Sequence, residues 1–318
     1  MVCTRQRLDY DEEMSSPLRD HSVPVTAAGP ITRVLITGAQ GQLGAAMVKT
    51  FEGLDVTAHT RQTLDVAAAA AVNEAVHAAR PHVIVNCAAF NDVDGAEDRA
   101  SEALAVNAFA VRNLARAAEE AGARFVHYST DFVFDGSATT PYTEDVRPSP
   151  RGTYAASKLL GEWFALEAPH SYVLRVESLF GSPLNWTGRR GTFDGILSNL
   201  EQGREVRAFT DRIVSPGYVV DIAAATRHLV MSAAAPGLYH CVNSGHATWF
   251  DVAREVAALI GNERPNITPV TMDQLKLKAP RPRYCALSVA KLEAAGFLMP
   301  AWQDALRRWL ATRGALTA

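Results

Sequence analysis

The first half of the chain alternates short apolar runs with longer amphipathic segments. Buried parallel strands are predicted at Arg33–Thr37, about Leu54–His59, His82–Ala89, Arg124–Ser129 and Ser171–Val176. Helices are predicted at Gln42–Phe51, Ala67–Ala79, Glu97–Ala121 and Tyr154–Glu167. This βα alternation indicates an α/β fold with a Rossmann-type doubly wound parallel sheet, in which ligands bind at the carboxyl ends of the strands.

The second half of the chain is less regular. The pattern predicts one strand and three helices, at Leu238–Val242, Phe193–Glu201, Phe250–Ile260 and Ala301–Thr312. Phe180–Arg190 is irregular and suits either a substrate loop or a plain connection. We therefore predict an NAD(P)-binding Rossmann domain at 31–177 and a smaller C-terminal α/β substrate-binding domain at 178–318, with some segments of the latter returning to the former.

The first 30 residues mix charged residues, serine and proline without a periodic apolar face. Such a segment buries too little apolar surface to offset the entropy of ordering it. Residues 1–30 are therefore expected to be a disordered and dispensable tail. They lack the apolar core of a signal peptide, and Met14 offers a second start position.

Composition excludes several classes of partner. The 318 residues are 48% hydrophobic and carry a net charge of −3 without long blocks of like charge, so neither nucleic acid nor a membrane is expected as a partner. The four cysteines are dispersed and form no CxxC pair, which indicates neither a metal site nor a disulfide framework. A reducing cytoplasm is the expected location.

The first predicted strand runs directly into a glycine-rich loop with the spacing GxxGxxG. In a phosphate-binding loop, the first glycine permits a tight turn, the second lets the backbone approach a pyrophosphate, and the third allows close helix packing. The strand before the loop and the amphipathic helix after it favour this interpretation over an ordinary turn. The predicted cofactor-binding residues of the loop are Gly38, Gln40, Gly41, Gln42, Leu43 and Gly44.

The end of the second predicted strand bears on the choice between NAD and NADP. An NAD site places Asp or Glu there to bind the ribose, but this chain has His59-Thr60-Arg61. Arg61 can pair with a 2′-phosphate, so NADPH is the predicted cofactor, with NADH as the alternative. Asp65 and Val66, a polar-apolar pair after the second strand, are predicted to contact the adenine of the cofactor. The small residues after the third strand leave room for the cofactor, so Cys87, Ala88 and Ala89 are also predicted cofactor contacts.

Tyr154 and Lys158 lie four residues apart and therefore on one face of their predicted helix. A free tyrosine ionises near pH ~10, and a nearby positive charge favours the phenolate. The phenol is thus a candidate general acid. The motif is weak alone, but together with a loop that binds a hydride carrier it indicates an oxidoreductase.

Several motifs together resemble the extended short-chain dehydrogenase/reductases, and within them the dTDP-4-dehydrorhamnose reductase family, over about residues 32–313. The motifs are Gly38–Gly44, Asn86–Ala89, Val93-Asp94 with Ala96-Glu97, Ser129–Gly136, Tyr154–Lys158, and Arg281–Arg283 ahead of Leu287-Ser288. The resemblance implies a catalytic trio of Thr130, Tyr154 and Lys158, of which Tyr154 and Lys158 also contact the cofactor. A nucleotide-linked sugar is the implied substrate, and a homodimer is a further expectation.

The implied reaction is the NADPH-dependent reduction of the 4-keto group of a nucleotide-linked 6-deoxyhexose. Tyr154 would protonate the developing alkoxide and Thr130 would hydrogen-bond the carbonyl oxygen. Lys158 would hold the nicotinamide ribose and lower the pKa of Tyr154.

Two alternative functions stay open. One is another extended-family epimerase or dehydratase; of these, the dehydratase is disfavoured because Phe132 replaces the second carboxylate common in dehydratases. The other is a non-catalytic NADP-binding subunit resembling the methionine adenosyltransferase beta subunit, against which the intact trio argues. Departures from the family pattern leave the sugar open, since Asp211–Pro216 and Glu177–Leu179 differ from residues common in the half that selects the substrate.

Overall fold

The computed structural model describes residues 30–181, 191–232 and 234–316. The expected tail at 1–30, apart from Pro30, and most of the irregular stretch Phe180–Arg190 lie outside these residues. Ile31–Ala318 forms a compact unit of its own. The predicted division of this unit at residue 177 stays a prediction.

The first half of the chain supplies five strands and the helices between them. These are β1 (Arg33–Thr37), α1 (Gln42–Thr50), β2 (Asp55–Ala58), α2 (Ala69–Ala79), β3 (Val83–Asn86), α3 (Val93–Asp98), α4 (Ala100–Leu104), α5 (Ala110–Glu120), β4 (Arg124–Thr130), α6 (Thr153–Leu166) and β5 (Ser171–Val176). The second half contributes shorter strands and further helices. These are β6 (Leu179–Phe180), α7 (Thr192–Glu201), β7 (Val206–Phe209), β8 (Ile213–Val214), β9 (Gly217–Tyr218), α8 (Val219–Met231), β10 (Gly237–His240), β11 (Ala247–Thr248), α9 (Trp249–Leu259), β12 (Ile267–Val270), α10 (Ala290–Ala294) and α11 (Trp302–Thr312).

Six parallel strands form the central sheet in the order β2-β1-β3-β4-β5-β10. Helices cover both faces, so successive residues of β1 enter different cores. Val34 and Ile36 join a core with α1 and α8, whereas Leu35 joins one with α2 and α5. The predicted Rossmann-type parallel sheet is confirmed, and its strand order changes direction between β1 and β3. The carboxyl ends of these two strands therefore border a crevice suited to a ligand.

One helix that the sequence predicts as continuous is interrupted in the structure. Instead of a single helix over Glu97–Ala121, the chain forms α3, α4, a π-helical turn at Ala105–Phe109, and α5. The first break falls at Arg99, whose φ of −120° and ψ of 48° are not helical. The π turn contains Asn107, whose side chain is buried and bonded to two distant parts of the chain. Tertiary hydrogen bonding has thus overridden local helix propensity.

The second half builds a separate aromatic core. Phe180 stacks on Phe193 at a centroid distance of 4.4 Å, and Trp309 meets Phe180 edge-on at 5.7 Å. Helix α8, which the sequence did not predict, returns to pack against α1. No helix in the described ranges is long and apolar enough to cross a membrane.

Candidate active site

The glycine loop lies at the carboxyl end of β1, where the backbone leaves no room for a side chain at Gly38 or Gly44. Gly38 has a φ of 66°, and a Cβ there would lie 2.6 Å from the backbone nitrogen of Ala88. A Cβ on Gly44 would lie 2.2 Å from the Gly38 carbonyl oxygen. Helix α1 begins directly after the loop, so the positive end of its dipole faces the crevice. This bare backbone cradle fits a dinucleotide pyrophosphate.

A buried polar network supports the floor of the crevice. The Thr37 hydroxyl donates to Asn86 Oδ1 at 2.7 Å, and the Ala88 amide donates to the same oxygen at 3.1 Å. The amide nitrogen of Asn86 lies 3.2 Å from Nδ1 of His127. The Asn86 side chain thus connects β1, β3 and β4 and holds the backbone of the small residues that follow β3.

Two adjoining cavities of about 520 Å³ and 310 Å³ follow the crevice and share four lining residues. The larger is lined by the predicted residues Gly38, Gln40, Gly41, Arg61, Asp65, Val66, Cys87, Ala88 and Ala89. The smaller is lined by Gln42, Leu43, Gly44, Thr130, Tyr154 and Lys158, with Gly41, Cys87 and Ala89 again. The structure therefore brings all the predicted cofactor and catalytic residues to one crevice. A cavity of about 760 Å³ at the amino ends of the strands contains none of them.

The outer end of the larger cavity carries two arginines. Arg61 is exposed and makes no hydrogen bond or ion pair with any described residue. Arg99, which sequence reasoning missed, lies over the Phe90 ring at 4.7 Å and pairs with Asp92 at 3.0 Å. No signal in the sequence pointed to this role of Arg99, because the prediction placed the residue inside a continuous helix that the structure breaks at that position.

The predicted trio converges at the smaller cavity. Thr130 ends β4, while Tyr154 and Lys158 lie in the first turns of α6. The Lys158 ammonium donates to the Tyr128 carbonyl at 2.5 Å, and Phe132 meets the Tyr154 ring edge-on at 5.6 Å. A phenol, a hydroxyl and an ammonium group thus border one space.

The pKa of Tyr154 moves in the direction opposite to the prediction. Burial raises it above its ordinary value, and the Asp131 carboxylate raises it further, while a hydrogen bond with Thr130 lowers it. The expected lowering by Lys158 is therefore not seen, since desolvation dominates. A phenol with a raised pKa is fully protonated at neutral pH, which is the form that a general acid needs.

Residues outside the trio hold α6 in place. Gly152 precedes the helix without a side-chain cap, and Glu97 takes over that role by accepting from the Thr153 amide at 2.8 Å and the Thr153 hydroxyl at 3.2 Å. Farther along, Glu162 forms a buried ion pair with Arg175 of β5 at 2.7 Å. The motif residue Glu97 therefore has a structural explanation that its sequence context did not provide.

The π turn also packs directly against α6. Asn107 exchanges hydrogen bonds with the Phe90 backbone at 2.8 Å and 3.1 Å and donates to the Ser157 hydroxyl at 3.0 Å. A Cβ on Gly161 would lie 2.1 Å from the Asn107 carbonyl oxygen, so helix and turn meet backbone to backbone. Asn107 thereby connects the wall of the cofactor crevice to the helix that carries the trio.

Burial lowers the pKa of Lys158 to about 8, against the opposing effects of Glu162 and Cys87. Between that value and the ordinary lysine pKa of ~10.4, the unfolded chain holds a proton that the folded chain has lost, so stability rises with pH. Lys158→Met lacks this group. The free energy of unfolding of the wild type minus that of Lys158→Met should therefore increase by about 1–3 kcal/mol from pH ~7 to ~10.

Urea unfolding at several pH values measures this difference. The control is Lys49→Met, which removes an exposed lysine and should lack the rise. A difference for Lys158→Met that stays flat with pH would show that the buried ammonium keeps an ordinary pKa.

The parallel sheet, the glycine cradle and the Thr-Tyr-Lys trio define a dinucleotide-dependent oxidoreductase of the extended short-chain dehydrogenase/reductase type. Residues 32–314 match the sequence profile of the family described as RmlD substrate binding domain. The chain is 36% identical over 297 residues to dTDP-4-dehydrorhamnose reductase of Streptomyces griseus, across 91% of this chain and 93% of that protein. It is 34% identical over 286 residues to the spore coat polysaccharide biosynthesis protein SpsK of Bacillus subtilis, across 89% and 98%.

Solved structures agree with this assignment. The dTDP-4-dehydrorhamnose reductase of Bacillus anthracis in complex with NADP has a TM-score of 0.82 and 32% identity, covering 88% of this chain and 99% of that one. The Clostridium acetobutylicum relative of the same description has a TM-score of 0.83 and 32% identity, again covering 88% and 99%. The chain belongs to the dTDP-4-dehydrorhamnose reductase family.

Proposed function

We propose that the protein reduces the 4-keto group of a nucleotide-linked 6-deoxyhexose with NADPH. The observation that carries the proposal is the meeting of Thr130, Tyr154 and Lys158 at a cavity that adjoins the glycine cradle. Relatives with 36% and 37% identity are named dTDP-4-dehydrorhamnose reductase and dTDP-4-keto-6-deoxy-D-glucose reductase, which supports this substrate class.

Each residue has a role that follows from its position in the crevice. The cradle at Gly38–Gly44 would hold the pyrophosphate, and Lys158 would hold the nicotinamide ribose. When bound, NADPH supplies the hydride for the carbonyl carbon. Tyr154 gives its proton to the carbonyl oxygen as charge develops there, and the Thr130 hydroxyl orients that oxygen.

The test is a panel of dTDP-, UDP- and GDP-linked 4-keto-6-deoxyhexoses assayed by NADPH absorbance. We expect consumption of NADPH with at least one of them and a product reduced at C4. Product formed without net consumption of NADPH would favour an epimerase or dehydratase. Binding of NADPH without any product would favour the regulatory subunit.

The second expectation from this site is a preference for NADPH over NADH. Of the two arginines at the adenosine end, Arg61 is the one without an ion pair to a described residue, and no acid stands directly at the end of β2 to bind an NAD ribose. Arg61→Ala should weaken NADPH binding about tenfold or more, the scale of a charge-assisted contact, and leave NADH binding unchanged. Fluorescence titration measures both affinities. Arg116→Ala is the control. Equal affinities of the wild type for NADPH and NADH would show that Arg61 is a solvated side chain that does not bind the 2′-phosphate.

A homodimer is part of the proposal, with its interface on an apolar face formed by α6 and by Phe109 of the π turn. Phe109, Trp163 and Leu166 are 43%, 59% and 40% exposed. Phe164 contacts Phe109 at a centroid distance of 6.2 Å. A second copy of the same face is the proposed occupant, since a twofold axis pairs such a patch with itself.

Trp163→Glu should convert the dimer to a monomer in sedimentation experiments. Leu298→Glu is the matched control, because Leu298 is 76% exposed and should tolerate the charge. A wild type that sediments as a monomer would contradict the proposed interface.

We also place the protein in the cytoplasm, since Cys87, Cys241 and Cys285 are free thiols, as expected in a reducing compartment.

A further inference from the structure

Two sequence motifs that lie 187 positions apart are joined by an ion pair. One contributes Asp94 of the short helix α3, and the other contributes Arg281 of the segment Ala279–Arg283, which we call the strap. The Arg281 guanidinium donates from Nη1 to Asp94 Oδ1 at 2.6 Å and from Nη2 to Asp94 Oδ2 at 2.9 Å. The Ala279 amide also donates to Asp94 Oδ1, at 2.9 Å. Three hydrogen bonds to one carboxylate therefore hold the strap on α3.

Helix α3 borders both cavities of the active site. Its first residue, Val93, lines the smaller cavity, and Asp92 just before the helix lines the larger one. Farther along α3, Glu97 accepts hydrogen bonds from the amide and the hydroxyl of Thr153, the residue before Tyr154. A shift of α3 would therefore move the wall of the crevice and the start of the helix that carries the general acid.

The strap also reaches the start of α6 and strand β8. A Cβ on Gly152 would lie 2.8 Å from Glu97 Oε1 and 3.4 Å from Pro280 Cδ, so α3, the strap and the start of α6 meet at a point with no room for a side chain. At the other end of the strap, the Arg283 carbonyl accepts from the Ile213 amide of β8 at 2.8 Å. The strap thus connects α3 and α6 to the second half of the chain.

The exposure of the ion pair limits what it can contribute. The side chains of Arg281 and Asp94 are 15% and 45% exposed, and a pair this open to solvent adds little to the free energy of unfolding. Hydrogen bonds from Arg281 and from the Ala279 amide lower the pKa of Asp94 below its ordinary value, so the carboxylate is charged at neutral pH. A charged pair with two parallel bonds has a defined geometry. It is therefore suited to placing α3 rather than to stabilising the whole fold.

We propose, resting on the reductase function above, that Arg281 is a positioning residue for the reaction. Through Asp94 it holds α3 against the strap, and α3 in turn holds Thr153 and so places the Tyr154 hydroxyl against the substrate. Neither Arg281 nor Asp94 is among the described residues that line the two cavities. Their effect on the reaction therefore passes through α3.

Hydrogen exchange measures the positioning without turnover. In Arg281→Met, the Thr153 amide and the amides of α3 should exchange about fivefold or more faster than in the wild type, because α3 has lost its tie to the strap. Lys278→Met is the matched control, since it breaks a neighbouring pair between the same two segments, with Asp98, whose side chains are 49% and 64% exposed. That variant should exchange at the wild-type rate. Unchanged exchange in Arg281→Met would overturn the proposal.

Kinetics with the keto sugar measure the consequence for the reaction. Under saturating NADPH, Arg281→Met should lower kcat by about tenfold or more, since a small misplacement of a catalytic group costs this much. The solvent isotope effect on kcat should rise, because transfer of the Tyr154 proton becomes the slower step. Affinity for NADPH should change little, since the cradle at Gly38–Gly44 is intact. Arg281→Lys keeps the charge without the paired bonds and should lie between Arg281→Met and the wild type, whereas Lys278→Met should match the wild type.

A merely structural role would give another pattern. Loss of folded protein would lower kcat and the stoichiometry of NADPH binding together and leave the isotope effect unchanged, and that result overturns the proposal. Asp94→Asn combined with Arg281→Met should be no slower than the slower single variant, because both changes break one contact. Losses that add would show that the two residues act separately, which also overturns it.

The two tests also separate this proposal from the reductase function. A wild type that consumes no NADPH would overturn the proposed function and the positioning role together. Unchanged exchange or unchanged kcat in Arg281→Met, with an active wild type, would overturn the positioning role alone.

Discussion

Replacing Tyr154 by phenylalanine should lower turnover by about 10²-fold or more, the scale of general acid catalysis. The hydroxyl is held beside Thr130 at the nicotinamide end of the crevice, and its raised pKa keeps it protonated at neutral pH. The ring, which packs edge-on against Phe132, is retained in the variant. Affinity for NADPH should therefore change little.

Stopped-flow absorbance under saturating NADPH measures the loss, and titration of NADPH measures binding. Tyr172→Phe is the matched control, since it removes a hydroxyl bonded to the Ala234 carbonyl at 2.7 Å, away from the crevice. If Tyr154→Phe and the wild type turn over equally, another group supplies the proton.

Arg175→Met should destabilise the protein by about 3–5 kcal/mol, because it leaves the Glu162 carboxylate buried without its partner. The two side chains are each 2% exposed and are joined by bonds of 2.8 Å and 2.7 Å. The double variant Arg175→Met/Glu162→Leu should recover most of the loss, since neither charge of the pair is left buried.

Urea unfolding at neutral pH measures these free energies. Lys49→Met breaks the pair with Glu52, whose side chains are 80% and 69% exposed, and should therefore have a far smaller effect. Similar losses in Arg175→Met and the double variant would mean that packing, not the stranded charge, sets the cost.

Local patterns were sufficient for the nucleotide-binding part of the fold. The apolar run of β1, the glycine spacing and the start of α1 are adjacent in sequence, and the structure places all three as predicted. The convergence of Thr130 with the glycine loop also followed from the sequence, because parallel strands deliver their carboxyl ends to one edge.

The remaining features depend on contacts between distant residues. The π turn is held by Asn107 through bonds to Phe90 and Ser157, which are 17 and 50 positions away. The buried carboxylates of Asp131 and Glu177, which follow β4 and β5, come within 4.8 Å of each other. The pKa of Tyr154 was given the wrong direction because desolvation depends on burial, which a sequence motif does not report.

The order of strands in the sheet has a consequence for synthesis on the ribosome. The glycine loop, the trio and five of the six strands precede residue 180, whereas the strand that covers the edge of β5 comes from Gly237–His240. A nascent chain that stops between residue 180 and the start of α8 at Val219 has a complete binding loop but an open strand edge, and α1 lacks its α8 partner. Open edges pair with other chains. Translation that ends early in this interval therefore yields aggregation-prone fragments.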